Sequence, residues 1–187
     1  MSQLDETKTF IPVRIAVLTV SDTRTLVDDR SGDTLVDRLK AAGHLLAERA
    51  IVSDDIISIQ QIVRRWIENA DIDVVITTGG TGFTGRDVTA EAIEPLFDKR
   101  MDGFSTLFHM LSFAKIGTST IQSRATAGLA GTTFIFAVPG SPGACRDAWD
   151  GILAAQLDYR HRPCNFVEIM PRLDEHLRRG APIPPVS

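Results

Sequence analysis

The stretch DVVITTGGTGFTGRD, residues 73–87, decides the fold because it joins a short apolar segment to a glycine-rich turn. Residues 73–77 are rich in β-branched side chains, which is typical of a strand buried on both faces of a parallel sheet. Gly79 and Gly80 end this strand, since glycines after an apolar run mark a turn. The stretch therefore predicts an interior strand that leads directly into a loop.

Three further segments, residues 13–20, 44–52 and 132–138, carry the same strand-like pattern. Between the strands, apolar residues recur at every third or fourth position, which predicts amphipathic helices. The first helix is expected to begin with Ser31 as its N-cap and to stop at Gly43. The other helices are expected near residues 59–67, 88–97, 103–113, 118–129 and 142–157.

This alternation of strands and helices predicts an α/β fold with three layers, in which a mostly parallel central sheet has helices on both faces. The length of 187 residues fits one compact domain. We expect that domain to cover residues 13–166. Residues 1–12 are then a flexible N-terminus, and residues 167–187 are a C-terminal tail.

Composition and charge exclude several classes of protein. With a net charge of −4, the chain lacks the excess of basic residues typical of nucleic-acid-binding proteins. Two cysteines are too few for a disulfide framework, and no apolar run approaches the roughly 20 residues that a membrane span needs. The polar start does not resemble a signal peptide. We therefore expect a soluble cytoplasmic protein that binds neither nucleic acid nor membrane.

Ligands of parallel α/β sheets bind beyond the carboxyl ends of the strands. That rule points to Ser21 and Asp22, to residues 53–55, to the loop from Gly79, and to residues 139–141. We therefore expect these four segments to meet at one edge of the sheet.

The loop after residue 78, here called the glycine loop (residues 79–87), has four glycines within seven residues. Its spacing nearly matches a dinucleotide fingerprint, but that motif belongs after the first strand of a compact unit, and this strand is the third. It also nearly matches a P-loop, but Arg86 and Asp87 replace the required Lys and Ser or Thr. What remains is phosphate binding by backbone amides and a helix start, with a plain tight turn as the alternative.

Two acidic positions fit this phosphate site. Asp87 beside a phosphate implies Mg²⁺ between the two, because a carboxylate alone would repel the ligand. Asp54 or Asp55 could supply a second carboxylate. Helix capping is the alternative role for all three acids. Arg86 is either a phosphate clamp or a solvated charge.

Gly140 and Ser141 start a helix before a proline, which makes them either a second anion site or simple helix punctuation. Cys145, Cys164 and the scattered histidines form no pattern typical of a metal or nucleophile site. The apolar face of the helix predicted over residues 103–113 is expected to be core or a subunit contact.

The motifs together resemble the MoaB/MogA family of molybdenum cofactor biosynthesis, which includes the G domains of gephyrin and its plant counterpart. The resemblance covers about residues 13–166, with a closer likeness to the B branch of that family. It rests on TVSDT (residues 19–23), TTGGTGFTGRDVT (77–89), MLSFAKIGTSTIQSRATAG (110–128), PGSPGACRDAW (139–149) and RPCNF (162–166).

The resemblance implies a molybdopterin-binding domain fold and a homotrimer or homohexamer. It implies Mg²⁺-dependent transfer of AMP from ATP to molybdopterin, with other molybdenum cofactor enzymes as candidate partners. Asp54 and Asp87 match the catalytic acids and the Mg²⁺ ligands, although the usual Pro-Asp-Glu around the first acid reads Ser53-Asp54-Asp55 here. Ser21, Asp22, Gly79, Gly80, Thr81, Gly82 and Arg86 match the nucleotide side, and Gly140 and Ser141 match the substrate side.

Two other functions stay open at this point. One is a non-catalytic molybdopterin-binding or scaffold protein of the same pathway. The other, more distant, is a nicotinamide-dependent enzyme, which the near-match in the glycine loop alone suggests.

Overall fold

A computed structural model of the chain describes residues 3–175. The strands within them are β1 (Gln3–Leu4), β2 (Arg14–Val20), β3 (Leu45–Val52), β4 (Val74–Thr78), β5 (Lys99–Arg100), β6 (Thr126–Ala130), β7 (Thr133–Val138) and β8 (His161–Arg162). Among these residues, six strands form one sheet in the order β3-β2-β4-β7-β6-β5. The first four of that order run parallel, β6 runs antiparallel to β7, and β5 pairs antiparallel with β6 at the edge of the sheet.

The helices connect these strands across both faces of the sheet. They are α1 (Arg30–Ala41), α2 (Ile56–Ile67), α3 (Thr89–Ile93), α4 (Asp102–Ile116), α5 (Pro142–Ala148), α6 (Ala154–Gln156) and α7 (Phe166–Ile169). A π-helical turn, Trp149–Leu153, joins α5 to α6. Short 3₁₀ helices, Glu94–Leu96, Gly117–Gln122 and Met170–Arg172, follow α3, α4 and α7.

Alternate side chains of β2 enter different hydrophobic cores. Ile15 and Val17 pack on the face covered by α1, α4 and α5, whereas Ala16 and Leu18 pack on the face covered by α2 and α3. Because successive side chains of a strand point to opposite faces, this burial places helices on both sides of the sheet. The predicted three-layer α/β fold with a mostly parallel sheet is confirmed.

The register of the central strands brings their carboxyl ends level. Thr78 of β4 pairs with Thr19 of β2 on one side and with Val138 of β7 on the other. Val20 pairs with Val52, which ends β3. The loops that follow β2, β3, β4 and β7 therefore emerge at the same edge of the sheet.

The helix predicted over residues 118–129 is wrong. Its first part is the 3₁₀ helix, and its second part is β6, which runs antiparallel to β7 after a tight turn at Gly131. Small residues here allow a close approach, since a Cβ on Gly128 would lie 2.3 Å from the Phe97 ring. Tertiary packing therefore overrides the local pattern.

Ser31 is not the N-cap of α1, as the sequence suggested. Asp29 caps the helix two residues earlier, accepting a hydrogen bond from the Gly32 amide at 2.9 Å. Asp29 is almost completely buried and also accepts hydrogen bonds from Thr19 and Arg49. These partners allow a carboxylate to remain inside the protein.

Regular contacts also occur outside residues 13–166. β1 pairs with β8, and beyond Phe166 the Val167 side chain is buried while Met170 and Leu173 pack against the core. The backbone of β1 and the apolar side chains that follow Phe166 therefore contact the rest of the domain. Residues 176–187 of the predicted tail lie outside the described residues. Within residues 3–175, no helix combines the length and apolar character needed to cross a membrane.

Candidate functional site

A cavity of about 350 Å³ opens at the carboxyl ends of β2, β4 and β7. Most of the predicted site residues lie in its wall: Ser21, Gly79, Gly80, Thr81, Gly82, Asp87, Gly140 and Ser141. The remaining three, Asp22, Asp54 and Arg86, form a polar group beside it. The structure therefore brings the four predicted segments to one place, as the rule for parallel sheets requires.

The start of the glycine loop is wedged between the ends of two strands. The Gly79 amide donates a hydrogen bond to the Val138 carbonyl at 3.1 Å, and a Cβ on Gly79 would lie 2.3 Å from the Val20 carbonyl oxygen. Gly79 also has a φ of +100°, a region that favours glycine. Thr89 fixes the loop from below, donating its hydroxyl to the Gly79 carbonyl at 2.8 Å and its amide to the Gly80 carbonyl.

The carboxylate of Asp87 turns back onto its own loop. It accepts hydrogen bonds from the Thr84 hydroxyl at 2.6 Å and the Thr84 amide at 2.9 Å. The N-cap of α3 is Val88, which makes no side-chain capping bond, so Asp87 does not cap that helix. Burial alone would raise the pKa of Asp87, but these bonds, the Gly82 amide and nearby Arg124 outweigh it and lower the pKa. Asp87 is therefore an ionised group in the cavity wall.

Two reciprocal hydrogen bonds join Asp54 and Asp22, each from the backbone amide of one residue to the carboxylate of the other. The Asp22 amide donates to the Asp54 carboxylate at 3.0 Å, and the Asp54 amide donates to the Asp22 carboxylate at 3.1 Å. Arg86 forms an ion pair with Asp22 at 2.8 Å. Burial, followed by repulsion from Asp22 and Asp87, raises the pKa of Asp54. This edge of the sheet thus carries more negative charge than Arg86 neutralises.

Asp55 has a different role from Asp54. It is the N-cap of α2, and its carboxylate accepts hydrogen bonds from the Ser58 amide and hydroxyl, both at 2.8 Å. Of the two adjacent acids, the structure therefore turns Asp55 to helix capping and leaves Asp54 beside the glycine loop, where a Cβ on Gly80 would lie 3.3 Å from its Oδ1.

The neighbouring part of the cavity wall is the turn between β7 and α5. Ser141 is the N-cap of α5, as predicted, and accepts a hydrogen bond from the Ala144 amide at 3.1 Å. Gly140 lies against the glycine loop so closely that a Cβ there would lie 3.0 Å from the Gly79 Cα. The two glycine-containing turns therefore face the cavity as two neighbouring backbone surfaces.

Several residues of the cavity wall were not assigned to the site from the sequence. Arg24, Asp29, Ser31, Gln122 and Ser123 also line the cavity. The last two belong to the segment whose structure was predicted wrongly. The others follow β2 and could have been found only from the rule that strand ends converge.

We expect Gly82→Val to weaken ligand binding at the cavity by about 10- to 100-fold, the equivalent of the roughly 1–3 kcal/mol that overpacking costs. A Cβ on Gly82 would lie 2.8 Å from Asp87 Oδ2, so valine must displace that carboxylate. Calorimetric titration with ATP and with molybdopterin, the ligands that the family resemblance implies, measures the effect. Gly85→Val is the matched control, since a Cβ on Gly85 meets nothing within 4 Å. Equal affinities of both variants would remove Gly82 from the site.

The two cysteines are expected to differ sharply in reactivity. Burial raises the pKa of Cys145 to about 11, and its thiol lies 3.2 Å from the Thr78 hydroxyl, whereas Cys164 is exposed. Because the thiolate is the nucleophile, a thiol reagent at pH 8 should modify one cysteine per folded chain and two after unfolding. Two rapidly modified thiols in the folded protein would contradict this assignment.

Comparison with known proteins identifies the family of the chain. Residues 16–159 match the family model described as "Probable molybdopterin binding domain". The chain is 54% identical over 157 residues to molybdenum cofactor biosynthesis protein B of Escherichia coli K12, covering 84% of this chain and 92% of that protein. The Bacillus cereus protein of the same name is 46% identical over 148 residues, covering 79% and 88%.

Solved structures give the same result. A crystal structure of a molybdenum cofactor biosynthesis protein B superposes with a TM-score of 0.81 at 41% identity, covering 90% of this chain and 99% of that one. The tungsten cofactor synthesizing protein MoaB from Pyrococcus furiosus superposes with a TM-score of 0.69 at 35% identity, covering 76% and 91%. The chain therefore belongs to the MoaB/MogA family of molybdenum cofactor biosynthesis.

Proposed function

We propose that this protein is a molybdopterin adenylyltransferase, which uses ATP and Mg²⁺ to form adenylyl-molybdopterin and pyrophosphate. The observation that carries the proposal is the cavity itself. One part of its wall is a glycine loop with an ionised Asp87, a neighbouring part is the turn at Gly140 and Ser141, and Asp54 lies beside them. This arrangement offers two neighbouring backbone surfaces, which suits a reaction between two phosphate-bearing ligands.

In this reaction an oxygen of the molybdopterin phosphate attacks the α-phosphorus of ATP, and the bond to the β-phosphate breaks. The attacking atom belongs to the substrate, so no side chain is needed as nucleophile. The protein must instead align two anions and stabilise charge on the transferred group. We assign the nucleotide to Ser21, Asp22, Arg86 and residues 79–82, and the molybdopterin phosphate to Gly140 and Ser141.

The donor set fits Mg²⁺ only in company with a ligand. Asp54 and Asp87 supply hard carboxylate oxygens, but residues 3–175 contain no group of three or more His, Cys, Asp or Glu side chains that could hold a metal ion. The phosphates of ATP would complete the coordination. When bound, Mg²⁺ would neutralise charge on the phosphates, and Asp54 and Asp87 would hold it. We therefore infer that the cation enters with the nucleotide as a substrate complex.

Incubation of the purified protein with ATP, Mg²⁺ and molybdopterin tests the proposal. Adenylated pterin and pyrophosphate should form in equal amounts and depend on Mg²⁺. Molybdopterin binding without any adenylated product above a no-protein control would support the non-catalytic binding or scaffold function instead.

We also propose that the protein is a homotrimer or homohexamer in the cytoplasm, with other molybdenum cofactor enzymes as candidate partners. An exposed apolar surface on α4 and the 3₁₀ helix after it supports self-association. Its residues are Leu107, Met110, Phe113, Ile116 and Ile121, each at least half exposed. Light scattering of the purified protein measures the mass directly, and a monomer would contradict the proposal.

A further inference from the structure

Arg124 makes an unusual set of contacts with the glycine loop. Its backbone amide donates to the Thr81 carbonyl at 2.8 Å, and its Nε donates to the Gly82 carbonyl at 2.8 Å. A terminal nitrogen of the same guanidinium donates to the Asp87 carbonyl at 2.7 Å. One residue, distant from the loop in sequence, therefore contacts both its middle and its end.

These bonds fix the direction of the loop amides. In a trans peptide, the carbonyl of one residue and the amide of the next point in opposite directions. The guanidinium holds the Gly82 carbonyl toward itself and therefore turns the Phe83 amide away.

The guanidinium is held from two further sides. Its other terminal nitrogen forms an ion pair with Glu91 of α3, and its centre lies 5.3 Å from the centroid of the Phe83 ring. A planar group with several directed donors can satisfy two carbonyls and a carboxylate at once, whereas a lysine ammonium is a point charge on a flexible stem. This set of contacts therefore suits arginine better than lysine.

Arg124 acts from outside the ligand cavity. Its neighbours Gln122 and Ser123 line that cavity, whereas Arg124 and Glu91 line a separate depression of about 290 Å³. We propose that Arg124 is a positioning residue, which holds the glycine loop so that Asp87 and the loop amides face the reacting phosphates. The catalytic consequence rests on the proposed adenylyl transfer, but the conformational role does not.

Three variants of the full-length protein test this inference. Arg124→Ala should lower kcat by about 10- to 100-fold, the usual effect of losing a group that orients a catalytic ligand. Its KM for ATP should change less, and added guanidinium should restore part of the lost rate. Arg124→Lys should fall between Arg124→Ala and the parent protein. Glu91→Gln, the matched control, keeps both carbonyl bonds and should change kcat by less than about threefold, since an exposed ion pair contributes little.

Hydrogen exchange of the peptide spanning residues 81–88 separates this inference from the proposed function. Arg124→Ala should accelerate exchange there, while Glu91→Gln should leave it near the parent rate. Unchanged exchange in Arg124→Ala overturns the inference even if the protein transfers AMP. Faster exchange in a protein that transfers no AMP supports the positioning role and rejects the adenylyltransferase. A uniform loss of thermal stability with no guanidinium rescue would mean that Arg124 is only structural.

Discussion

Asp87→Asn is expected to lower the rate of adenylyl transfer by on the order of 10²–10³-fold, because stabilisation of phosphate charge by a bound metal is worth several kcal/mol and each 1.4 kcal/mol is tenfold. The amide oxygen of asparagine can still accept from the Thr84 amide and hydroxyl. The loop should therefore keep its shape while losing the negative charge. Initial rates with ATP, Mg²⁺ and molybdopterin measure the loss of activity. Thermal denaturation tests whether the variant keeps the stability of the parent protein.

Asp55→Asn is the matched control for this variant. It makes the same change from carboxylate to amide at the acid next to Asp54. Asp55 caps α2, and asparagine caps helices about as well as aspartate. Its rate should equal that of the parent protein. If Asp87→Asn retained full activity, Asp87 would be a turn-forming residue and its catalytic assignment would be wrong.

Gly79→Ala is expected to lower the free energy of unfolding by roughly 3 kcal/mol or more, combining backbone strain with overpacking. The φ of +100° disfavours any residue with a side chain, and the new Cβ would lie 2.3 Å from the Val20 carbonyl oxygen. That oxygen belongs to the backbone at the end of β2, so relief requires a shift of the sheet edge itself. Urea denaturation measures the loss.

Gly85→Ala provides the comparison for Gly79→Ala within the same loop. Nothing lies within 4 Å of a Cβ at Gly85, so its free energy of unfolding should stay close to that of the parent protein. A loss smaller than about 1 kcal/mol at Gly79, comparable to an ordinary surface change, would show that the sheet edge yields easily.

The fold and the position of the site follow from features that act locally. Buried parallel strands need continuous apolar runs, so the sequences of residues 73–77 and 132–138 predict strands. The convergence of strand ends then places Ser21, Gly79 and Ser141 at one cavity without further information.

Other parts depend on contacts between distant segments and could not be predicted in this way. β6 is a strand because it pairs with β7 and packs Gly128 against Phe97. The orienting role of Arg124 depends on carbonyls that lie about 40 residues earlier, and no pattern in one sequence marks such a pairing. Likewise, the choice of Asp29 over Ser31 as helix cap depends on Arg49, which comes from β3.

The central strands end level with one another, so a ligand that binds at their ends also stabilises the protein against denaturation. The cavity wall combines segments as far apart in the chain as Thr19 and Ser141, so it exists only while the whole sheet is intact. A ligand that binds there must favour the native chain over the denatured one, by about 2.7 kcal/mol when its concentration is 100 times its dissociation constant. A shift in melting temperature therefore reports occupancy without any label, and the cellular supply of ligand would itself prolong the lifetime of the protein.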